Sequence, residues 1–269
     1  MSLGRVAVIG AGKMGETLIR AMVGSGAVPA EQIVATGRKE LRLDALSREL
    51  HIETTLDNRQ AVRDADLLLL CVKPQGAAKV LAELREEITA DKLLVSILAG
   101  VPTKRLEESL LSGVPVVRAM PNTPSLLGEG MTALCAGASA DQAQVERARR
   151  IFERVGRTLV LDEKHFDAVT GLSASGPAFI YIVIEALAEG GVKVGLPRQV
   201  ATELAAQTCL GAAKMVIETD HHPAVLKDAV TTPAGCTIDG ILKLEEGGLR
   251  VTLIKAIVEA ARRSQELLE

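Results

Sequence analysis

Val6-Ala7-Val8-Ile9-Gly10-Ala11-Gly12-Lys13-Met14-Gly15-Glu16-Thr17-Leu18-Ile19 decides the fold. Four apolar residues run without a polar break, as in a strand covered on both faces. A G-x-G-x-x-G turn follows at once, and it opens a stretch with helical periodicity. In such a turn the first glycine permits the tight bend, the second lets backbone approach a pyrophosphate, and the third allows close helix-strand packing. The free N–H groups of the helix start then face the phosphates. Gly10, Ala11, Gly12, Lys13, Met14 and Gly15 are therefore expected to cradle a dinucleotide. The bland alternative is a chance glycine-rich turn, and the strand before it and the helix after it weigh against that.

The same rhythm continues outward. Continuous apolar runs at 33–35, 67–72, 93–98 and 114–118 alternate with amphipathic stretches at 14–23, 40–50 and 77–88. Strand and helix in this order predict a doubly wound α/β sheet. Beyond 131–136, Ser139 and Gln142 stand three apart and read as a capping box ahead of a helix at 145–155. A short strand at 158–161 is expected to close the sheet. From His165 onward no strand pattern is found. Helices are expected at 177–194, 197–219, 223–230, 237–244 and 249–268, with Pro177, Pro197 and Pro223 in first turns and Gly247-Gly248 separating the last two. The expected architecture is a Rossmann-type doubly wound sheet, residues 1–162, followed by an all-α domain, residues 163–269. Residues 180–187 and 204–217 are apolar on more than one helix face. A homodimer through the C-terminal helices would bury them; packing against the chain's own sheet is the alternative.

Composition narrows the class. The chain has 269 residues, 48% hydrophobic and 24% charged, with a net charge of -3. Neither a nucleic-acid partner nor an anionic membrane surface is suggested by that balance. There is no Trp, one Tyr and three Phe, so base-stacking platforms are scarce. Cys71, Cys135, Cys209 and Cys236 are scattered, with no CxxC pair and no Cys-His cluster. A reduced intracellular protein without a structural metal is expected. A strand begins almost at the first residue and charges interrupt the apolar runs, so neither a signal peptide nor a membrane span is expected. The expected location is the cytoplasm.

Specificity within the dinucleotides is written at the end of the second run, Val34-Ala35-Thr36-Gly37-Arg38-Lys39. An NAD-specific site places an acid there for the ribose 2′-hydroxyl; this chain has none. Thr36 offers a hydroxyl, and Arg38 and Lys39 offer positive charge to a 2′-phosphate. NADPH is favoured and NADH is left open. The alternative is that Arg38 and Lys39 merely begin a solvated helix.

Three segments fall at carboxyl ends of strands, where open α/β sheets bind ligands: Cys71-Val72-Lys73-Pro74, Ala99-Gly100, and Met120-Pro121-Asn122-Thr123-Pro124. Pro74, Ala99 and Asn122 are accordingly placed with the cofactor site. Two further segments are Gly171-Leu172-Ser173-Ala174-Ser175-Gly176-Pro177-Ala178-Phe179 and Thr231-Thr232-Pro233-Ala234-Gly235-Cys236-Thr237. Taken together, and over essentially the whole chain, these resemble the pyrroline-5-carboxylate reductases. Residues 230–245 look like that family's signature segment. The resemblance implies an N-terminal domain for NAD(P)H and interlocked helical domains that form the substrate site. It implies that residues 10–15, Thr36, Asn58, Val72, Lys73 and Ala99 lie along the cofactor, with Glu163, Cys236 and Thr237 near the substrate. It leaves a ring of dimers open. In one departure, Ala229 stands where some relatives carry Asn after the Lys-Asp pair, so a side-chain contact to cofactor is missing there.

The loop at 232–237 also reads as chemistry by itself. Gly235 and its small neighbours make a turn into a helix starting near Thr237. Successive N–H groups in such a turn suit an anion, and Thr232 and Thr237 add hydroxyl donors. The bland alternative is an ordinary Thr N-cap. Reducing a cyclic imine that is already partly protonated needs no strong general acid. The four histidines form no acid-base constellation, and His221-His222 are expected to cap or precede a helix. Positioning is expected to dominate, with the Thr237 hydroxyl on the ring nitrogen and Glu163 a weaker candidate. Two other functions remain open: a β-hydroxyacid dehydrogenase, although 177–187 has no Lys to serve as base, and a non-catalytic NADP-binding regulator.

Overall fold

The computed structural model describes residues 3–266. Eight strands form one sheet: β1 Val6–Ile9, β2 Ile33–Thr36, β3 Glu53–Thr55, β4 Leu67–Leu70, β5 Leu93–Ser96, β6 Val116–Met120, β7 Gly130–Ala136 and β8 Gly156–Val160. Their order is β3-β2-β1-β4-β5-β6-β7-β8. All neighbours are parallel except the antiparallel β6–β7 pair. The chain starts at β1, winds outward to β3, then crosses to β4. The crevice where strand order reverses therefore lies above β1 and β4, the place such sheets bind ligands.

The continuous apolar runs have the cause expected of them. Val6, Val8, Leu67, Leu69, Leu93 and Val95 point into one core layer, while Ala7, Ile9, Leu68, Leu70 and Leu94 point into another. Both faces are covered by the helices α1 Lys13–Gly24, α2 Glu40–Leu50, α3 Asn58–Arg63, α4 Pro74–Leu84, α5 Thr103–Glu108 and α6 Gln142–Phe152.

Several boundaries differ from the sequence reading. β3, unread as a strand, is a polar half-exposed edge paired only with β2, so it carries no apolar run to notice. The helix expected at 77–88 starts earlier, with Pro74 in its first turn. The capping box is Asp141 with Gln144, not Ser139 with Gln142. Asp141 accepts from Gln144 N–H at 3.0 Å, and Gln144 Oε1 accepts from Asp141 N–H at 2.6 Å. Asp caps as well as Ser, and Ser139 N–H is instead taken by Glu107.

The rest of the described chain is helical: α7 Phe166–Val169, a π turn at Thr170–Ala174, α8 Gly176–Lys193, α9 Arg198–Thr219, α10 Pro223–Val230, α11 Cys236–Glu246 and α12 Leu249–Glu266. The expected last helix ran on to 268; its final two residues lie outside the described ones. Packing divides the chain into two compact units. One reaches Ala174 and takes the chain back from Ala260; the other is Ser175–Glu259. The second unit buries little: Ala188, Ala201 and Ala205 form its core cluster. Tyr181, Ile182, Leu204, Leu210, Ile217, Val251, Ile254 and Val258 all stay exposed. Among the described residues Glu163–Lys193 is also long and apolar enough to cross a membrane, by length and composition alone. That amends the expectation that charges interrupt every long apolar stretch.

Candidate active site

Thr36, at the end of β2, and the glycine turn after β1 hold one another. Ala11 N–H donates to the Thr36 carbonyl at 2.6 Å and Gly10 N–H to Thr36 Oγ1 at 3.3 Å. Thr36 is only 1% exposed. Its hydroxyl oxygen therefore supports the turn by accepting, while its O–H remains a donor on the cleft. The glycines are required one by one. Gly10 has φ +99, and a Cβ there would sit 3.1 Å from the Cys71 carbonyl. A Cβ on Gly15 would meet the Gly10 oxygen at 2.5 Å. Gly12 by contrast has nothing nearer than 4.0 Å and is the N-cap of α1 without any side-chain cap. The first N–H groups of α1 thus stay unmet beside an open approach, as an anion site needs.

That approach is the floor of a cleft of about 1040 Å³. Gly10, Ala11, Gly12, Lys13, Thr36, Arg38, Lys39, Asn58, Val72 and Lys73 all line it. The fit to a dinucleotide is good: an uncapped helix start lies at one point, and the cations of Arg38 and Lys39 lie at the end of β2. Five expected residues do not line the cleft. Met14 packs half-buried on the core, Gly15 is buried beneath the turn, and Pro74 opens α4. Ala99 packs in the cluster of Met120 and Phe166. Asn122 is engaged elsewhere: its Nδ2 donates to the Ser173 carbonyl at 3.2 Å, and its Oδ1 accepts from Met131 N–H at 2.9 Å.

Sequence reasoning missed Arg42, a further cation on the cleft beside Lys13, Arg38, Lys39 and Lys73. Its position four residues past Arg38 was the available signal. Arg42 pairs with Glu16 at 2.7 Å, and Arg20 holds the same carboxylate at 2.8 Å. Burial pushes the Glu16 carboxyl up, but the bonds from Arg42 and Arg20 outweigh it and hold it below the usual range. Cys71 lines the cleft too, and burial in apolar surroundings pushes its thiol up to about 12.

Glu163 does not stand free for a substrate. One oxygen accepts from Thr103 N–H at 2.8 Å and from Arg118 Nη1 at 3.0 Å; the other accepts from Thr103 Oγ1 at 2.6 Å. Arg118 is 4% exposed and lies 4.7 Å over the Phe166 ring. Both carboxylate oxygens are therefore committed inside the first unit.

In the second unit, the 232–237 loop forms the start of α11. The N-cap is Gly235, with no side-chain cap, and Cys236 and Thr237 are the first helical residues. Thr237 is thus not the ordinary cap of the bland reading, and the first N–H groups of α11 are left for another acceptor. Gly235 N–H donates to the Thr232 carbonyl at 3.0 Å, and a Cβ on Gly235 would strike Thr232 Oγ1 at 2.4 Å. Ala234 has φ +56, a left-handed conformation that costs a non-glycine residue energy. Strain and unmet donors coincide at one helix start. His222 caps α10, its Nδ1 accepting from Ala224 N–H at 3.2 Å.

Two family profiles match the chain: "NADP oxidoreductase coenzyme F420-dependent" over residues 5–100, and "Pyrroline-5-carboxylate reductase dimerisation" over residues 163–267. A pyrroline-5-carboxylate reductase of Methanosarcina acetivorans is 47% identical over 98% of this chain and 97% of its own. One from Arabidopsis thaliana is 44% identical over 98% and 95%. Among solved structures, the pyrroline-5-carboxylate reductase of Coxiella burnetii superposes with a TM-score of 0.93 at 36% identity, covering 99% of both chains. The Plasmodium falciparum pyrroline carboxylate reductase with NADP bound gives 0.89 at 30% identity, covering 99% and 98%.

Proposed function

Since the chain belongs to the pyrroline-5-carboxylate reductase family, we infer that its reaction is divided between the two helix starts described above. The protein is an oxidoreductase that reduces 1-pyrroline-5-carboxylate to L-proline with NAD(P)H, a step of proline biosynthesis. Neither the β-hydroxyacid dehydrogenase nor the non-catalytic regulator is favoured.

In this reading Gly10–Lys13 and the α1 start hold the pyrophosphate, and Asn58, Val72 and Lys73 follow the dinucleotide. Arg38 and Lys39, joined by Arg42, read a 2′-phosphate, which makes NADPH the preferred cofactor. When bound, the nicotinamide supplies the hydride. The chain's own part is to bind and orient. The unmet N–H groups of Cys236 and Thr237 receive the substrate carboxylate, assisted by Thr232, and Gly235 keeps the approach clear of side chains. The Thr237 hydroxyl bonds the ring nitrogen. No histidine or buried acid is needed, because the imine is already partly protonated. Asn122 and Glu163 serve as anchors and not as ligands.

The chain oligomerises through its C-terminal helical domain. We take the assembly to be a homodimer in which exposed Tyr181, Ile182, Leu204 and Val258 are covered by a second copy; a ring of such dimers is a further step of the same proposal. This accounts for the apolar Glu163–Lys193 stretch without a lipid phase. The functional division is proposed at 162/163, although packing keeps 163–174 with the sheet. Four free cysteines support a reducing compartment, and the cytoplasm is proposed.

One observation carries the substrate site: the α11 start, where left-handed Ala234 and an uncapped Gly235 leave backbone donors unmet. The test is NADPH oxidation on adding 1-pyrroline-5-carboxylate, with proline identified as product. NADPH binding without turnover would overturn the reading.

A further inference from the structure

Residues 163–174 are tied to the first unit at four points. Glu163 is held by Thr103 and Arg118, Phe166 lies under the Arg118 guanidinium, and Ser173 is held by Asn122. The fourth point is Asp167, whose carboxylate accepts from Ser264 Oγ at 2.8 Å. Ser264 is buried and belongs to the end of α12, where the chain has just returned from the second unit. Both covalent connections to that unit, one leaving after Ala174 and one returning at Ala260, therefore end on a single anchored platform.

Asn122 is the anchor nearest the departure point. Its side chain joins three segments: the end of β6 that carries it, Met131 in β7, and Ser173. Ser173 lies in a π turn. Turns of this kind are rare and occur often at functional sites. The bond to Ser173 needs a donor and the bond to Met131 needs an acceptor, a pair of roles that a neutral amide fills from one side chain. Cleft residues make no use of Asn122, although its motif lies at a strand's carboxyl end.

We propose that Asn122 is a positioning residue for hydride transfer. Through the Ser173 carbonyl it fixes the π turn from which the second unit departs, and it does not act as a cofactor ligand. This rests on the reductase activity given above.

Asn122→Asp separates the two bonds. It keeps an acceptor for Met131 and removes the donor to Ser173. The measurements are kcat, NADPH affinity and stoichiometry by nicotinamide fluorescence, and amide hydrogen exchange over residues 163–174. The expected result is a kcat lower by roughly tenfold, with NADPH still bound one per chain at an affinity within about twofold of wild type, and faster exchange at 170–174. Full stoichiometry shows that the lost turnover is not lost folded protein. Wild-type kcat in the variant overturns the proposal. So does weakened NADPH binding with kcat unchanged, which would make Asn122 a ligand. Asn122→Ala should lower kcat at least as far; where it fails to fold, the aspartate variant decides. A wild-type enzyme that does not turn over pyrroline-5-carboxylate is a different outcome, and it sinks the family reading instead.

Discussion

Glu163 and Arg118, 45 positions apart, meet in a 3.0 Å ion pair in which Arg118 is buried and Glu163 half-buried. Arg118 Nε and Nη2 have no hydrogen-bond partner, so among the described contacts the Glu163 carboxylate is the opposite charge that compensates this cation, with the Phe166 ring beneath it. Removing one member of a fully buried pair strands the other charge at a cost of about 3–5 kcal/mol, and the half-buried Glu163 puts this pair below that range. Glu163→Ala should therefore lower the denaturation midpoint markedly and leave the KM for pyrroline-5-carboxylate near wild type in the protein that folds. A raised KM with unchanged stability would return Glu163 to the substrate, where the family resemblance put it.

The contrast between Glu163 and the glycine turn says what a sequence can carry. Gly10, Gly12 and Gly15 act through their own backbone and their next neighbours, so spacing alone reveals them. The strands β1 and β4 are legible for a similar reason, since both faces are buried and every residue is apolar. β3 has a polar exposed edge and leaves no such mark. Glu163 and Asn122 depend on partners 45 and 51 positions away, and nothing local says whether their polar groups face a ligand or the protein. Thr36 lines the cleft, but its bond to Gly10 N–H exists only once β1 and β2 pair.

Cofactor choice gives a second test. Arg38 and Arg42 both line the cleft, and Arg42 is already shared with Glu16. Arg38→Glu places an acid where the 2′-phosphate is read, which costs a charge-assisted bond and adds repulsion. NADPH affinity should fall by about tenfold or more, while NADH falls far less. Equal losses for both nucleotides in steady-state titrations would remove Arg38 from 2′-phosphate recognition.

The thiols make a pH prediction. Burial pushes both Cys71 and Cys135 up to about 12, with the Glu163 charge adding to the shift at Cys135. An unfolded cysteine ionises near about 8.5. A raised folded value means the native state favours the neutral thiol, so this stability is complete below about 8.5 and is lost as pH climbs toward 12. Cys71→Ala should flatten the alkaline fall of the denaturation midpoint. In native protein at neutral pH a thiol reagent should modify exposed Cys236 ahead of Cys71 and Cys135, and proline should slow that modification. Fast labelling of Cys71 would show that the cleft admits a thiolate.

Thr237 is the residue on which the chemistry turns, and its place in α11 makes the test clean. It is the second residue of a helix capped by Gly235, and no cap hydrogen bond depends on its side chain. Alanine has the better helix propensity, so Thr237→Ala should keep or slightly raise stability. A hydrogen bond to a charged group contributes roughly 1.5–3 kcal/mol. Catalytic efficiency for pyrroline-5-carboxylate should therefore drop on the order of tenfold or more, while NADPH affinity stays put. Thr237→Ser restores the hydroxyl without the methyl and should recover most of the rate. If the alanine variant keeps wild-type kinetics, the hydroxyl has no part in hydride transfer, and the backbone donors of Cys236 and Thr237 would bear the substrate alone.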